Sequence, residues 1–346
     1  MSTAERPTDD WTEPGTYEVA PNVYRIPLPL PSDGLKAVNV YVISDGNALT
    51  LVDSGWALSE ARVALERGLN VLGATLGDVH QFLVTHVHRD HYTHAVALRD
   101  IYGTPISLGA GERPTLEALA DPEFKPMDRQ ISALRSHGAD EVIGRLLAGE
   151  PTQVRTMEHW KPPDMWLTDR QEIRIGSRTL EVINTPGHTR GHVVFADPGN
   201  GLLFAGDHVL PHITPSIGFE PASGGFPLLN YIDSLRLIRR LPEMSLFPAH
   251  GAVSASVHER VDELLAHHDQ RLSEAFASVC NGATTAFDAA SQLGWTRRKR
   301  PFITLDPFNQ MLAVFETASH LDLLVLQGRL AIRTISGVTI YEVVPS

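Results

Sequence analysis

The sequence predicts a layered α/β protein with an all-helical insertion and a helical C-terminal region. Three observations predict it. Short apolar strands alternate with a helix between Val19 and Thr85, strand patterning returns at Glu172, and three helices and a hairpin follow Gly251. At 346 residues the chain has room for one large domain with an appendage.

The elements follow in order. The first 16 residues carry Pro, Asp, Glu and Thr and read as a flexible tail. Asn39–Ser44 and Ala48–Val52 flank Asp45-Gly46-Asn47, a hairpin signal. Ala61, Leu65 and Leu69 share one helical face, which predicts a helix from Ser59 to about Leu72. Gln81–Thr85 is a short buried strand. Residues 112–166 read as a helical insertion interrupted by Pro122, Pro126 and Pro151. The insertion ends with Met157, Trp160, Met165 and Trp166, apolar and adaptable side chains. A lid over a greasy substrate is one reading of them, and ordinary helix packing or a dimer contact is the other. Strands are expected at 172–175, 180–184, 192–196, 202–205 and 246–248, which closes the main domain at 17–254.

From 255 to 346 the pattern outlines a winged helix. Val257, Val261, Leu264, Leu272, Phe276 and Val279 make a long amphipathic helix. Thr284 or Thr285 caps a second helix, Asp306-Pro307 caps a third that Gly328 closes, and Ser336-Gly337 turns a hairpin.

Composition excludes several classes. The net charge of −12 argues against a protein built to grip a duplex. One cysteine, Cys280, leaves no intrachain disulfide and no cysteine-based zinc knuckle. The polar, acidic start does not read as a signal peptide, and no apolar stretch approaches the ~20 residues that span a membrane. The expected location is the cytoplasm.

Chemistry concentrates in Thr85-His86-Val87-His88-Arg89-Asp90-His91, four potential ligands directly after a buried strand. His86 and His88 are two apart, so an extended backbone points both rings the same way, and Asp90 and His91 follow as the chain turns. Imidazoles with a carboxylate suit zinc, iron or manganese. Three further ligands each follow a strand beside a glycine: His188 in Thr185-Pro-Gly-His-Thr-Arg-Gly-His192, Asp207 in Phe204-Ala-Gly-Asp-His208, and His250 in Pro248-Ala-His-Gly251.

In these residues the sequence resembles the metallo-β-lactamase superfamily, in particular its hydrolase branch with glyoxalase II and the β-lactamase-like protein 2 group, from about Val19 to Gly251. The resemblance implies an αβ/βα sandwich of two mixed sheets with the metal site at one edge. It implies that His86, His88 and His188 bind one metal, that Asp90, His91 and His250 bind a second, and that Asp207 bridges both. Two zinc ions are the implied cofactors, with iron or manganese as substitutes. Two metals can hold a bridging hydroxide and stabilise the oxyanion formed on an attacked carbonyl. Asp90 is then the catalytic residue that orients the hydroxide, and Asp53 supports a ligand histidine or its loop from behind. Many relatives carry two glycines where this chain has Tyr92-Thr93-His94, and His94 reads as a packed helix-start residue.

The expected function is hydrolysis of a small-molecule thioester, ester or lactone. His208, His212, Trp160 and Trp166 are candidates to touch the substrate. The alternative is a single-strand RNA endonuclease using the same metals, because the C-terminal outline resembles that of the β-lactamase-like protein 2 group. Residues 257–346 hold eight Lys/Arg against ten Asp/Glu, which does not favour nucleic acid, although Arg297-Arg298-Lys299-Arg300 is one basic run. A tail that packs on the pocket and helps the chain form a homodimer is the preferred role.

Overall fold

The computed structural model describes residues 10–31, 34–46, 48–148, 159–220 and 225–345. Two mixed sheets stack face to face with helices on both outer sides, which is the αβ/βα sandwich expected. The first sheet has β1 (Tyr17–Ala20), β2 (Val23–Pro29), β3 (Ala37–Asp45), β4 (Ala48–Val52), β5 (Val79–Val84), β6 (Ile106–Gly109) and β7 (Met165–Leu167) in that order. It is antiparallel through β4 and parallel beyond. The second runs β12 (Ser245–Pro248), β11 (Leu202–Gly206), β10 (Val193–Asp197), β9 (Arg178–Asn184) and β8 (Glu172–Ile175). Only β11 and β12 are parallel neighbours there.

Both faces of each sheet are buried, so the central strands are apolar throughout rather than alternating with polar residues. Side chains still alternate in direction. In β3, Tyr41 and Ile43 join Val182, Phe195 and Phe204 between the sheets. Val38, Val40 and Val42 instead face α1 (Ser59–Val71) and α2 (Arg89–Tyr102). Helix α1 covers that face with Ala61, Leu65 and Leu69, all fully buried. On the second sheet, Val194, Ala196, Leu203 and Ala205 face α6 (Pro227–Arg239), α7 (Val257–Cys280) and α9 (Pro307–Leu326).

The insertion departs from its sequence reading. It is helical in α3 (Arg113–Ala120), α4 (Pro126–Ser136) and α5 (Asp140–Ala148). Met165–Leu167 is instead an edge strand, β7, paired parallel to Ser107–Gly109. Three apolar residues carry no period, and the open edge of β6 captures them. Residues 149–158, with Met157, lie outside the described residues. Helices α4 and α5 bury Leu134, Val142 and Ile143 in one core with Val314 and Leu321 of α9. Sequence reading passed over α6, although Leu228, Tyr231, Leu235 and Ile238 are spaced for it.

Residues 1–9 of the expected tail lie outside the described residues. Within the described residues from Asp10 on, the Trp11 carbonyl accepts from the buried Arg25 guanidinium and Thr16 donates to the Gly68 carbonyl. The C-terminal elements are α7, α8 (Ala286–Gln292), α9 and the hairpin β15–β16 (Leu330–Ile335, Val338–Val343), with a short ribbon β13–β14 (Gly294–Trp295, Arg300–Pro301) between α8 and α9. Thr285 caps α8 and Asp306 caps α9. Among the described residues no helix is long and apolar enough to cross a membrane.

Candidate metal centre

Five strands end at the same edge of the sandwich, and each passes directly into a loop that carries functional side chains. β4 delivers Asp53, β5 the run His86–His91, β9 His188, β11 Asp207, and β12 His250. Backbone bonds lock these loops together: Val193 N–H donates to the Thr85 carbonyl (2.9 Å) and Ala249 N–H to the Gly206 carbonyl (3.0 Å). From beneath, the Asn39 amide donates to the carbonyls of Pro248 (2.9 Å) and Gly251 (2.8 Å), gripping the His250 loop.

All seven expected ligands come together in two groups. His86, His88, His188 and Asp207 form one, and Asp90, His91 and His250 the other, with donor atoms within 4.8 Å of one another in each. Asp207 faces both. Its Oδ2 is 3.4 Å from His188 Nε2 and 3.9 Å from His86 Nε2. Its Oδ1 is 3.4 Å from His250 Nε2 and 3.6 Å from His91 Nε2. Asp90 Oδ2 lies 3.5 Å from His250 Nε2 and 3.7 Å from His91 Nε2.

Outer hydrogen bonds select the tautomer that points a lone pair inward. His188 Nδ1 donates to the Ser216 carbonyl (2.8 Å) and His250 Nδ1 to the Ala37 carbonyl (2.8 Å), which leaves each Nε2 free to coordinate. His91 Nδ1 meets Asp53 Oδ2 at 2.9 Å, while Asp53 Oδ1 accepts from the Thr85 N–H (2.8 Å) and hydroxyl (2.9 Å). Asp53 holds a left-handed backbone, φ +61°, where a non-glycine residue is strained.

The electrostatics fit a cation. Burial and the neighbouring rings of His91, His88 and His188 hold the His86 ring far below its ordinary value, and burial with His188 holds His88 down to about 3. Burial also lowers His91, but Asp53, Asp90 and Asp207 outweigh it and push it up to about 10. Burial raises Asp90 and Asp207; the facing imidazoles of His91 and His250 outweigh it and keep both ionised. The Nε2 atoms of His86, His91 and His250 and Oδ1 of Asp207 are buried without a hydrogen-bond partner. Converging orphaned polar atoms beside two carboxylates are costly alone and are satisfied by a divalent ion.

The sequence pattern of the metallo-beta-lactamase superfamily matches residues 33–250. The chain belongs to the metallo-beta-lactamase superfamily. It is 26% identical over 314 residues to the "Probable metallo-hydrolase YqjP" of Bacillus subtilis, covering 87% of this chain and 90% of that one. A "Beta-lactamase-like protein 2 homolog" from Caenorhabditis elegans is 25% identical over 245 residues, covering 69% of this chain and 64% of that protein. Among solved structures, the metallo-beta-lactamase family protein TTHA1429 from Thermus thermophilus superposes with a TM-score of 0.79 at 26% identity, over 94% of this chain and 100% of that one. Superfamily membership and the His/Asp cluster together mark a divalent-metal site in a metal-dependent hydrolase family.

Trp160 and Trp166 pack half-buried against the first-sheet core rather than in the cluster, and the Arg113 guanidinium lies over the Trp166 ring. Trp166 sits on β7, so sheet formation fixes where it goes. His212 is exposed in the loop after Asp207. His208 is fully buried with its ring edge-on to Tyr231. His94 is buried, its Nδ1 bonded to the Ser54 carbonyl (2.8 Å), as a packed helix-start residue.

Sequence reasoning gave no role to His192. Its Nε2 accepts from the Asp207 N–H (3.1 Å), its Nδ1 meets the Thr185 hydroxyl (2.9 Å), and its ring stacks on His86. Its recurrence four residues after His188 in one glycine-rich loop was the available signal.

Proposed function

We propose that this chain is a dinuclear metal-dependent hydrolase, with zinc as its ion, acting on a small-molecule thioester, ester or lactone. The two-faced placement of Asp207 carries the reading. One oxygen turns to the His86–His188 side and the other to the His91–His250 side, the geometry a carboxylate needs to bridge two cations. When bound, two divalent ions supply Lewis acidity, lower the pKa of water to about 7 and offset the charge that develops on the attacked carbonyl oxygen.

The chain's own residues do the rest. His86, His88 and His188 would hold one ion and His91, His250 and Asp90 the other. Asp90 is the more exposed of the two ligand carboxylates, its side chain 15% accessible against 9% for Asp207. It therefore stands on the side from which substrate arrives. There it would orient the attacking water. Asp53 keeps His91 aimed inward throughout.

A neutral carbonyl substrate suits the surroundings better than a polyanion. Glu220 sits beside the His188 loop, and the chain carries a net charge of −12. Lys299 of the basic run faces Glu274, so RNA finds little support there.

A panel of thioesters and lactones tests the proposal with wild type and Asp90→Ala, both metal-replete. Wild type is expected to turn over at least one class, and Asp90→Ala to lose turnover with an unchanged circular dichroism spectrum. Wild-type rates in Asp90→Ala contradict the assignment. Single-strand RNA cleavage by wild type alone would move the same centre to phosphodiesters.

A further inference from the structure

Behind the ligands the two sheets meet backbone to backbone. The turn after β6, Gly109-Ala110-Gly111-Glu112, lies flush on Gly191 in the loop that carries His188. A Cβ at Gly109 would come within 2.3 Å of the Gly191 carbonyl oxygen, and one at Gly111 within 2.7 Å of the Gly191 Cα. One at Gly191 would come within 2.0 Å of the Glu112 nitrogen. Only residues without a side chain allow this approach.

Glu112 closes the seam and is fully buried. Its Oε1 accepts from the Thr189 hydroxyl, and Thr189 directly follows the ligand His188. On the other side the backbone N–H of Val87, between the ligands His86 and His88, favours its charge. The carboxyl thus reaches neighbours of the ligands on both sheets without reaching a ligand. His88 and His188 are the two that meet across the seam, Nδ1 to Nε2 at 3.0 Å. Glu112 Oε2 is buried with no hydrogen-bond partner. Glu220, from the loop between β11 and α6, reinforces the same corner by accepting from the Arg190 N–H (2.8 Å) and the Thr115 hydroxyl. Burying a carboxyl with an unmet oxygen is costly, and an apolar side chain would fill the space more cheaply.

We propose that Glu112 is a positioning residue that sets the spacing between His88 of the first sheet and His188 of the second, and with it the fit of the pocket to its ion. This rests on the metal centre proposed above. Burial, and after it the Glu220 carboxylate, push Glu112 up to about 8, so it carries a proton at neutral pH and glutamine is its close stand-in.

The test compares wild type, Glu112→Leu, Glu112→Gln, Thr189→Val and the Glu112→Leu/Thr189→Val double variant. Zinc affinity is read by chelator competition, the visible spectrum by cobalt loading, and Tm on the metal-free protein. Glu112→Leu is expected to weaken zinc binding about 10–100-fold and to change the cobalt spectrum, the usual effect of removing a group behind a ligand. Thr189→Val is expected to move both in the same direction, and the double variant to be no worse than Glu112→Leu, because the two share one interaction. Glu112→Gln is expected to restore the wild-type spectrum. Wild-type affinity and spectrum in Glu112→Leu overturn the proposal, as do losses that follow only the metal-free Tm in every variant. If Glu112→Leu does not fold, an unchanged cobalt spectrum in Thr189→Val overturns it. A wild-type chain that takes up neither zinc nor cobalt overturns the underlying metal centre as well, which separates the two failures.

Discussion

At the scale of single residues, three rings of the centre are aimed by a group behind them. Ser216, Ala37 and Asp53 fix His188, His250 and His91 through Nδ1. Elsewhere in and around the centre burial holds histidines neutral in the folded chain, as at His86, His88 and His94. The effect extends beyond the ligands to His137, whose ring lies against Phe315 with Nδ1 unpartnered and which burial lowers to about 4. In the unfolded chain it titrates near 6.5. Between those values the unfolded state binds more protons, so its contribution is complete above pH 6.5 and is lost as pH falls toward 4. Urea midpoints measured from pH 7.5 to 4.5 are expected to fall less steeply in His137→Leu than in wild type; equal slopes would contradict this. The candidate ligands were legible in the sequence because four crowd into one short run and the others stand beside glycines after strands. Glu112 was not legible: its partner Thr189 is 77 positions away, and a lone glutamate in a helical stretch carries no local signal.

At the scale of elements, the site is a property of strand ends. Gly206 shows how tightly they are fitted. It ends β11 with φ +51°, and a Cβ there would lie 2.7 Å from both His192 Nε2 and Thr85 Cβ. Gly206→Ala is expected to cost about 1–3 kcal/mol through left-handed strain and overpacking. It should also displace Asp207 and lower metal content. A urea midpoint and metal content equal to wild type would show that the strand end yields. Strands and helices with clear periods were readable, down to Thr285 and Asp306 as caps. β7 was not, because three residues joining an open edge are decided by the sheet they meet rather than by their own pattern. The same decision takes Trp166 into the first-sheet packing.

At the scale of the whole molecule, the hydrophobic core does not stop where the sequence pattern changes. Ile183, Val194 and Leu203 of the second sheet share one cluster with Val261 and Leu264 of α7, Val314 and Leu321 of α9, and Val142 of the insertion. Gly218, in the loop from Asp207 to α6, abuts Phe315 and Ser319 of α9. The C-terminal helices therefore brace the loop that carries Ser216 and holds His188. A chain ending at Ser254 would expose that face and is expected to be insoluble or molten; a cooperative thermal transition from it would show an independent first domain. Asp207 turns one oxygen to each group of candidate ligands, and the proposed dinuclear centre requires it to join two metal positions. Counting zinc per chain by elemental analysis, after loading and removal of excess ion, tests it most directly. Two equivalents are expected in wild type and fewer in Asp207→Ala. One equivalent or none in fully loaded wild type, or two in Asp207→Ala, would contradict it.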